Sequence, residues 1–583
     1  MGQSLPPKHI DVLIIGGGPG GSYAASVLSR EGINIALFES SKFPRYHIGE
    51  SLIPSVRHYL RFIGAEEKLV NHGFTRKPGS AIKFNQFKRE GYTDFVALGC
   101  DNNAWNVDRS EFDLLLLNHA RSCGAAVYER TKVIGISFSP DDPTKPISVS
   151  WIHTPPPSPI SSPTSPVRTM DESVPPSNDP NPEPIEGTTT FGHLIDASGR
   201  AGIMSTTYLK NRHFNSSLQN IAVWGYWNNV GTYGVGTPRQ GAPWFEALTD
   251  ESGWAWFIPL QNGRTSIGIV MDQASYNARN KSGTSLGSPF TPDTAPNPTN
   301  STMTTRYLSN LSLAPGLVNL VTEKGRMEVG SVKSASDFSY SAPSYAGQNY
   351  RIVGDAGAFI DPFFSSGIHL AMTSALSAAS TVCASIRGDC SEKEAADWHS
   401  TRFSTSYTRF QVVVLSAYKQ IRAQSNNVLN DVDEDNFDRA FAMLRPVIQG
   451  AAEMGSRLSE SELQKSLDFC VQLFNPTSPE HHRRLSDDPK IGKELLDVTV
   501  PLMSATKLEE YLHHHQSFSS CSVPTGDTSE NDNPAADARM VLNKVNARKV
   551  VHPEYSIHNL ASEPLGGFSV RLKTGMLGLS RAT

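Results

Sequence analysis

The chain has 583 residues, of which 38% are hydrophobic and 19% charged, and this size and composition predict a globular protein of two or three domains. Its 52 basic and 57 acidic residues give a net charge of −5 and are mixed along the chain, which excludes a basic face for nucleic acid. The six cysteines form no C-x-x-C pair, which argues against a disulfide framework and a zinc site; they are Cys100, Cys123, Cys383, Cys390, Cys470 and Cys521. We therefore expect no metal.

The N-terminal segment MGQSLPPKHIDVLIIGGG lacks the cationic start and cleavage site of a secretory signal. No run of the sequence reaches the roughly 18 to 20 apolar residues that a membrane-spanning helix needs. The sequence therefore predicts a cytoplasmic protein without a membrane segment.

The first predicted elements are a buried strand over Val12–Ile15 and a helix of small residues, joined by a glycine-rich turn. Gly16, Gly18 and Gly21 form G-x-G-x-x-G, a pattern that lets the backbone approach a pyrophosphate and points the helix N-terminus at its charge. Glu39 ends the next strand, where an acidic side chain can accept hydrogen bonds from ribose hydroxyls. These elements together predict an α/β dinucleotide-binding βαβ unit.

Two later stretches indicate which dinucleotide is bound. HLIDASGR reads as a strand that ends at Asp196, and YRIVGDAGAFIDPFFSSGIHLA gives a strand, Gly354-Asp355 and a helix that begins near Ser366. Alone, Gly-Asp could merely cap a strand. In this order the stretches resemble the FAD-binding oxidoreductases of the hydroxylase type, and the resemblance implies that Asp355 contacts the ribityl-phosphate region and that the helix points at the isoalloxazine ring.

Composition divides the rest of the chain. Two proline-rich stretches, residues 154–187 and 281–302, are predicted to be disordered surface insertions. From about residue 400 the pattern is helical, as in SELQKSLDFCVQLF, and residues 521–540 read as a mobile linker. We expect an FAD-binding body over residues 8–400, with a β-sheet substrate region, and a mainly helical C-terminal region over 401–583.

The segment SGWAWFIPL places Trp254 and Trp256 on one side of an extended strand. Found alone, such a pair would simply cover a core face. Together with the loop DPFFSSGIHLA and the segments FPRYHIGESLIPS and AWNVDRSEFD, the pattern W-x-W-x-I-P resembles the flavin-dependent halogenases, closest to the fungal enzymes that act on phenolic polyketides and meroterpenoids. The resemblance covers most of residues 8–425 apart from the two insertions.

The resemblance implies a chemistry in which reduced FAD, supplied by a separate NAD(P)H flavin reductase, reacts with O2 to give a C4a-hydroperoxide. Chloride attacks this species to form hypochlorous acid, which then travels to an aromatic substrate in secondary metabolite biosynthesis. Trp254, Trp256, Ile258 and Pro259 would form the wall between the two sites, because large rigid aromatic side chains exclude the substrate from the flavin. Ser366 and Gly367 would bind chloride, although Ser-Gly at a helix start is also ordinary capping.

The family's relay residue is a lysine that holds hypochlorous acid and delivers chlorine to carbon. FTRKPGSAIKF contains two candidates, Lys77 and Lys83. The resemblance selects Lys77, since the family places this lysine just before a small-residue turn. A dry environment would favour its neutral, reactive amine.

Flavin contacts are predicted from the glycine turn and by resemblance. Arg109 could instead form only an ion pair with Glu111 or Asp113. His47 and His369 are expected to be structural. The predicted flavin contacts are Gly16, Gly17, Gly18, Gly20, Gly21, Glu39, Glu50, Arg109, Asp355 and Ile368.

One departure from the family indicates the substrate. Tryptophan halogenases carry a glutamate in the loop where this chain has Phe364, and an indole would lack its assisting carboxylate here. A phenol needs less help, because its ionised hydroxyl already activates the ring. We expect a phenolic or resorcylic substrate, free or bound to a carrier protein. An aromatic hydroxylase and a non-catalytic flavin-binding scaffold are the alternative functions.

Overall fold

A computed structural model gives the fold. It describes residues 5–87, 90–96, 100–156, 183–215, 218–282, 289–290, 302–336, 339–422 and 424, and the C-terminal stretches 479–487, 491–496, 538–543, 545 and 564–582.

The described strands and helices are numbered in chain order. The strands are β1 (His9–Ile15), β2 (Ile35–Phe38), β3 (Thr75–Lys77), β4 (Gly79–Lys83), β5 (Gly91–Asp94), β6 (Ala104–Asn106), β7 (Ala126–Tyr128), β8 (Thr131–Phe138), β9 (Pro146–His153), β10 (Ile185–Asp196), β11 (His213–Phe214), β12 (Asn220–Asn228), β13 (Trp244–Ala247), β14 (Gly253–Pro259), β15 (Arg264–Asp272), β16 (Arg326–Met327), β17 (Lys333–Ser336), β18 (Tyr340–Ser341), β19 (Ala346–Gly347), β20 (Tyr350–Ile352), β21 (Phe568–Arg571) and β22 (Gly578–Arg581). The helices are α1 (Pro19–Arg30), α2 (Val56–Ile63), α3 (Glu66–Val70), α4 (Arg109–Ser122), α5 (Gln273–Ser282), α6 (Thr302–Asn310), α7 (Pro315–Val321), α8 (Gly367–Arg387), α9 (Glu392–Ile421), α10 (Pro479–Ser486) and α11 (Lys493–Leu496).

The first sheet is built on β1, which pairs in parallel with β10 on one side and β2 on the other. The sheet continues in parallel to β20 and β7, while β8 and β9 join it as an antiparallel extension of β10. The second half of β1, Val12–Ile15, is wholly apolar because both of its faces are buried. Val12 and Ile14 pack in the core with α1, α4 and α8, and Leu13 and Ile15 pack in the core shared with the second sheet. The predicted dinucleotide-binding α/β fold is confirmed.

The second sheet has eight strands, with β14 between its antiparallel partners β13 and β15. Successive side chains of a strand point to opposite faces. Trp254 and Trp256 therefore share the face that packs toward the first sheet, whereas Ala255 and Phe257 belong to the core beneath α6 and α7. The alternation places the tryptophan pair between the two sheets.

Helix α8 lies in the interior of the fold. By length and composition Gly367–Arg387 is apolar enough to cross a membrane, although its serine and threonine residues interrupt the apolar run that the sequence analysis looked for. Its most apolar 18-residue window is 83% buried by the protein itself, where α8 packs against α1 and α9. A core helix explains this composition.

The ends of the predicted insertions are ordered. Residues 185–187 belong to β10 and pair with β9, residues 281–282 end α5, and residue 302 begins α6. The boundaries predicted at 154–187 and 281–302 were therefore too wide, because the composition of a loop continues into the polar ends of its flanking elements. The centres of both stretches lie outside the described residues.

The C-terminal part shows two departures from the expected pattern. Residues 538–543 are helical, at the end of the linker predicted over 521–540, and residues 564–582 contain the β21–β22 hairpin in a region expected to be mainly helical. The boundary predicted at residue 400 falls inside α9. The helix predicted from SELQKSLDFCVQLF lies outside the described residues.

Candidate active site

A cavity of about 610 Å³ lies between the C-terminal end of β1 and the tryptophan face of the second sheet. This volume is typical of a small-molecule site. The structure brings together at this cavity twelve of the residues predicted from the sequence: Gly16, Gly18, Gly20, Glu39, Glu50, Arg109, Trp254, Trp256, Ile258, Asp355, Gly367 and Ile368. Five predicted residues do not line it, namely Gly17, Gly21, Lys77, Pro259 and Ser366.

The turn between β1 and α1 fits a pyrophosphate. Helix α1 has no side-chain cap and no acidic residue in its first turn, so its N–H groups remain available to an anion. Gly16 has φ +103°, and a Cβ on Gly21 would lie 1.9 Å from the Gly16 carbonyl oxygen. These two glycines are required by the turn itself. A Cβ on Gly18 would meet only the end of the Arg45 side chain, at 3.5 Å, so this glycine leaves room on the cavity side.

Glu39 follows β2 and lies at the edge of the cavity, 5% exposed. Its carboxylate accepts hydrogen bonds from the backbone N–H groups of Gly17 and Ser41, both at 2.7 Å. The contact explains why Gly17 does not face the cavity directly. It also fixes the carboxylate where a ribose of a bound dinucleotide is expected.

Arg109 lies at the cavity and forms the ion pair with Asp113 that was its alternative role. It lines the cavity and makes two hydrogen bonds to the fully buried Asp113, at 2.8 and 3.1 Å. It also donates to the carbonyl oxygens of Ile48 and Gly49, at 2.8 and 3.3 Å. Arg109 thus anchors the segment 45–51 across the cavity. Its charge is the main cause that lowers the pKa of His47, on the same segment, to about 4.

Two carboxyl groups that line the cavity have raised pKa values: the buried Glu50 and the half-buried Asp355. Burial raises the pKa of Glu50 to about 6, although it accepts a 2.6 Å hydrogen bond from the Tyr226 hydroxyl. Burial also raises the pKa of Asp355 to about 6, against the opposing charge of Arg109 and two further arginines. Removal from water disfavours the charged form of a carboxyl group.

The predicted wall is formed by two indoles that are almost completely buried. Trp254 and Trp256 are 2% and 6% exposed, and their ring centroids lie 5.7 Å apart. Trp254 packs edge-on against Phe363 at 4.9 Å. Opposite Trp256 stands Gly268, whose missing side chain leaves the space that the indole fills, since a Cβ there would lie 2.3 Å from the ring.

Each indole N–H of the wall has a fixed partner. Trp254 donates to the Tyr418 hydroxyl at 2.8 Å, and Trp256 donates to Ser266 at 3.1 Å. Tyr418, on α9, in turn donates to the buried Asp361 at 2.7 Å, directly before the Phe363–Phe364 loop. The wall is therefore held from three parts of the chain that the sequence does not place together.

Lys77 lies at the end of β3, 1% exposed and outside the cavity. Its Nζ donates to Ser51 Oγ at 2.8 Å and to the Leu52 carbonyl oxygen at 2.9 Å, and it lies 5.4 Å from the centre of the Phe95 ring. Burial lowers the pKa of Lys77 to about 7. Lys83, the other candidate, is only half-buried on β4. The structure distinguishes the two lysines in favour of Lys77 as a neutral amine.

A hydrogen-bonded bridge joins Lys77 to the wall and the cavity. Ser51 lines the cavity and donates to Asn106 at 3.1 Å, and Asn106 donates to the Pro259 carbonyl oxygen at 3.0 Å. Pro259 therefore acts through its carbonyl group at the end of the wall strand. Sequence reasoning missed Ser51 and Asn106, because nothing in the segments FPRYHIGESLIPS and AWNVDRSEFD, which contain them, indicates a contact with Lys77 or Pro259.

The start of α8 leaves polar groups facing inward. Ser365 has φ +56° and lines the cavity, and Ser366 is fully buried with an Oγ that has no hydrogen-bond partner among the described residues. Gly367 begins α8, and a Cβ on it would meet nothing within 4 Å. His369, one turn further, is buried and bonds to Ser55 at 3.0 Å, and burial lowers its pKa to about 3. This environment fits a small anion at the helix N-terminus.

The parallel sheet, the glycine turn and the cavity define an FAD-binding oxidoreductase fold. The sequence profile of the family described as tryptophan halogenase matches residues 11–107 and 186–466. The flavin-dependent halogenase armH1 of Armillaria mellea is 48% identical over 99% of this chain and 99% of its own length. The sulochrin halogenase gedL of Aspergillus terreus is 40% identical over 99% of this chain and 94% of its own length. The chain belongs to the flavin-dependent halogenases.

The fold is similar to that of a solved halogenase. The crystal structure of CmlS, a flavin-dependent halogenase, superposes with a TM-score of 0.59 and 22% identity, covering 88% of this chain and 78% of the other. Membership of the flavin-dependent halogenases, which the sequence relatives show, makes the protein an enzyme with a flavin cofactor.

Proposed function

We propose that the protein is a chlorinating enzyme that uses reduced FAD and O2 to oxidise chloride to hypochlorous acid and passes the oxidant through Lys77 to a phenolic polyketide-type substrate. When bound, the reduced flavin supplies, with O2, the oxidising equivalents for chloride. A separate flavin reductase provides the reduced FAD. The remaining work is done by the chain's own residues.

The observation that carries the proposal is the position of Lys77. A lysine amine that is 1% exposed, with a pKa lowered to about 7, is neutral in about half of the molecules near pH 7, and the neutral form can act as a nucleophile. Its amine donates to Ser51, and Ser51 lines the cavity. Oxidant formed in the cavity can therefore reach the amine while the bulk of an aromatic substrate stays outside.

The wall and the helix start would act before this transfer. The Trp254–Trp256 pair would keep the aromatic ring of the substrate away from the flavin. Both indoles are held by hydrogen bonds and cannot swing aside without breaking them. The N–H groups at Gly367 and the unpartnered hydroxyl of Ser366 would hold chloride by charge-assisted hydrogen bonds.

A phenolic substrate is supported by Phe364 and by a relative. Phe364 packs against Phe363 at 4.9 Å and adds an apolar surface where tryptophan halogenases carry a glutamate. The relative gedL is a sulochrin halogenase by name. An ionised phenol already directs electrophiles to its ring carbons, so an assisting carboxylate is dispensable.

The test is a reconstituted reaction. The protein is incubated with FAD, a flavin reductase, NADH, chloride or bromide, and a panel of phenols and indoles, and the products are analysed by mass spectrometry. Halogenated phenols support the proposal. A gain of one oxygen atom would support the hydroxylase alternative, and unchanged substrates would support the scaffold.

A further inference from the structure

A chain of hydrogen bonds leads from the protein surface to the cavity. Tyr46 is 48% exposed, and its hydroxyl lies 3.0 Å from that of Tyr226, which is 3% exposed. Tyr226 donates to Glu50 Oε1 at 2.6 Å, and Glu50, 4% exposed, lines the cavity. The roles proposed above for the tryptophan wall, for Lys77 and for the chloride site do not involve Tyr46 or Tyr226.

The hydrogen bonds from Tyr46 through Tyr226 to Glu50 all run in the same direction. The indole N–H of Trp224 can only donate, so the Tyr46 hydroxyl accepts from it at 2.9 Å. The Tyr226 hydroxyl gives its proton to Glu50, so the Tyr46 hydroxyl must donate to Tyr226. Every hydrogen bond therefore points from the exposed end toward the carboxylate, which is the arrangement in which protons can move inward in succession.

The groups around Glu50 come from several elements. Tyr226 is on β12, while Ser266 and Arg264 are on β15. Ser266 also forms a hydrogen bond to Glu50. The guanidinium carbon of Arg264 lies 3.7 Å from the centre of the Tyr226 ring. Asp108, before α4, raises the pKa of Glu50, and Arg264 lowers it. The segment that carries Glu50 also brings Tyr46, and Arg109 bonds to its backbone. Burial exceeds these charges, so the carboxyl group can exchange a proton near neutral pH.

The proposed reaction consumes protons. Written for the anionic reduced flavin, FADH⁻, O2, Cl⁻ and two H⁺ give FAD, H2O and HOCl, in which O2 takes two electrons from the flavin and two from chloride. At least one of these protons must enter a cavity closed on one side by two indoles. We propose that Tyr46, Tyr226 and Glu50 form a relay that carries protons from solvent to the flavin-binding cavity.

The proposal rests on the proposed function, because the cavity needs protons from solvent only when reduced flavin is turned over. In each cycle Glu50 gives its carboxyl proton to the cavity and becomes a carboxylate. It then takes a proton from the Tyr226 hydroxyl, Tyr226 takes one from Tyr46, and Tyr46 takes one from solvent water. Three O–H bonds break and three form along the relay, and the net change is one solvent proton delivered.

The first experiment counts protons without halide, O2 or arene. FAD bound to the full-length protein is reduced anaerobically by an external photochemical donor, and proton uptake is measured with a pH indicator between pH 6 and 8. Reduction places negative charge near Glu50 and raises its affinity for a proton. At the alkaline end of this range, where the reduced flavin is FADH⁻ and has itself taken up one proton, wild type is expected to take up more than one proton per two electrons, and Glu50→Gln about one.

The second experiment measures the rate of the same uptake. Tyr226→Phe and Tyr46→Phe remove the relay hydroxyls but keep the carboxyl group, so the proton count is expected to stay at the wild-type value while uptake slows by about tenfold or more. Tyr233→Phe is the matched control, since its hydroxyl donates to Glu90 at 2.8 Å and the residue does not line the cavity. It is expected to leave the count and the rate unchanged.

A purely structural network predicts a different result. It would lower FAD affinity or thermal stability in these variants with the proton count and rate unchanged, and that outcome overturns the relay. If Glu50→Gln does not bind FAD, Tyr46→Phe at the exposed end decides the question by its rate alone. Because neither experiment involves chlorination, the relay can fail while the enzyme still halogenates, and it can hold in a protein that does not.

Discussion

Replacing Lys77 by methionine is expected to stabilise the protein. The pKa of Lys77 is lowered from an ordinary value near 10.5 to about 7 by burial. Between these values the unfolded chain holds a proton that the folded protein has released, so stability rises with pH across this window. Linkage gives a destabilisation of roughly 4 kcal/mol at pH 7 and about 2 kcal/mol at pH 9.

The methionine variant removes the destabilisation that comes from burying the lysine amine. It also loses two hydrogen bonds, to Ser51 and Leu52, of about 1 kcal/mol each. A net gain of about 2 kcal/mol is therefore expected at pH 7, and it should disappear near pH 9. Denaturant unfolding of wild type and variant at both pH values, followed by tryptophan fluorescence, measures the difference. Lys83→Met, at a half-buried position, is the matched control. A variant that is less stable than wild type at both pH values would refute the reasoning.

Three further predictions concern glycines and the helix start. Gly268→Ala places a methyl group 2.3 Å from the wall indole and should cost about 1–3 kcal/mol of stability and lower the yield of halogenated arene, whereas Gly225→Ala on the same sheet meets its nearest atoms at 3.4 Å and should be mild; unfolding and product analysis compare them. Gly18→Ala should weaken FAD binding at near-normal melting temperature, while Gly21→Ala, 1.9 Å from a backbone oxygen, should impair folding itself; fluorescence titration with FAD and thermal melts separate the two. Ser366→Ala should raise the chloride concentration needed for half-maximal rate by about tenfold with little change in melting temperature, because its hydroxyl has no protein partner among the described residues; unchanged chloride dependence would remove Ser366 from the halide site.

The parts of the site that could be predicted are those encoded by neighbouring residues. The glycine turn, the strand before it and the two-residue spacing of Trp254 and Trp256 are local patterns, and a strand places such a pair on one face wherever it lies. The fold follows from the same signals, since β1 is apolar on both faces.

The remaining parts depend on contacts between distant segments. The bonds from Lys77 to Ser51 and from Trp254 to Tyr418 join residues 26 and 164 positions apart, and no periodicity links them. The same limit applies to Tyr226, which reaches Glu50 across 176 residues. Composition also misplaced the insertion ends, because polar residues of β10 pair with β9 although they resemble a loop.

The central claim is that oxidant is formed in the cavity and delivered by the Lys77 amine. The most direct measurement compares wild type with Lys77→Met, with FAD, a flavin reductase, NADH and chloride. It records chlorination of a small diffusible trap in one reaction and of the phenolic substrate in the other. The account predicts that trap chlorination stays within about twofold of wild type while phenol chlorination falls by about a hundredfold or more. Phenol chlorination by Lys77→Met at the wild-type rate and ring position would contradict it.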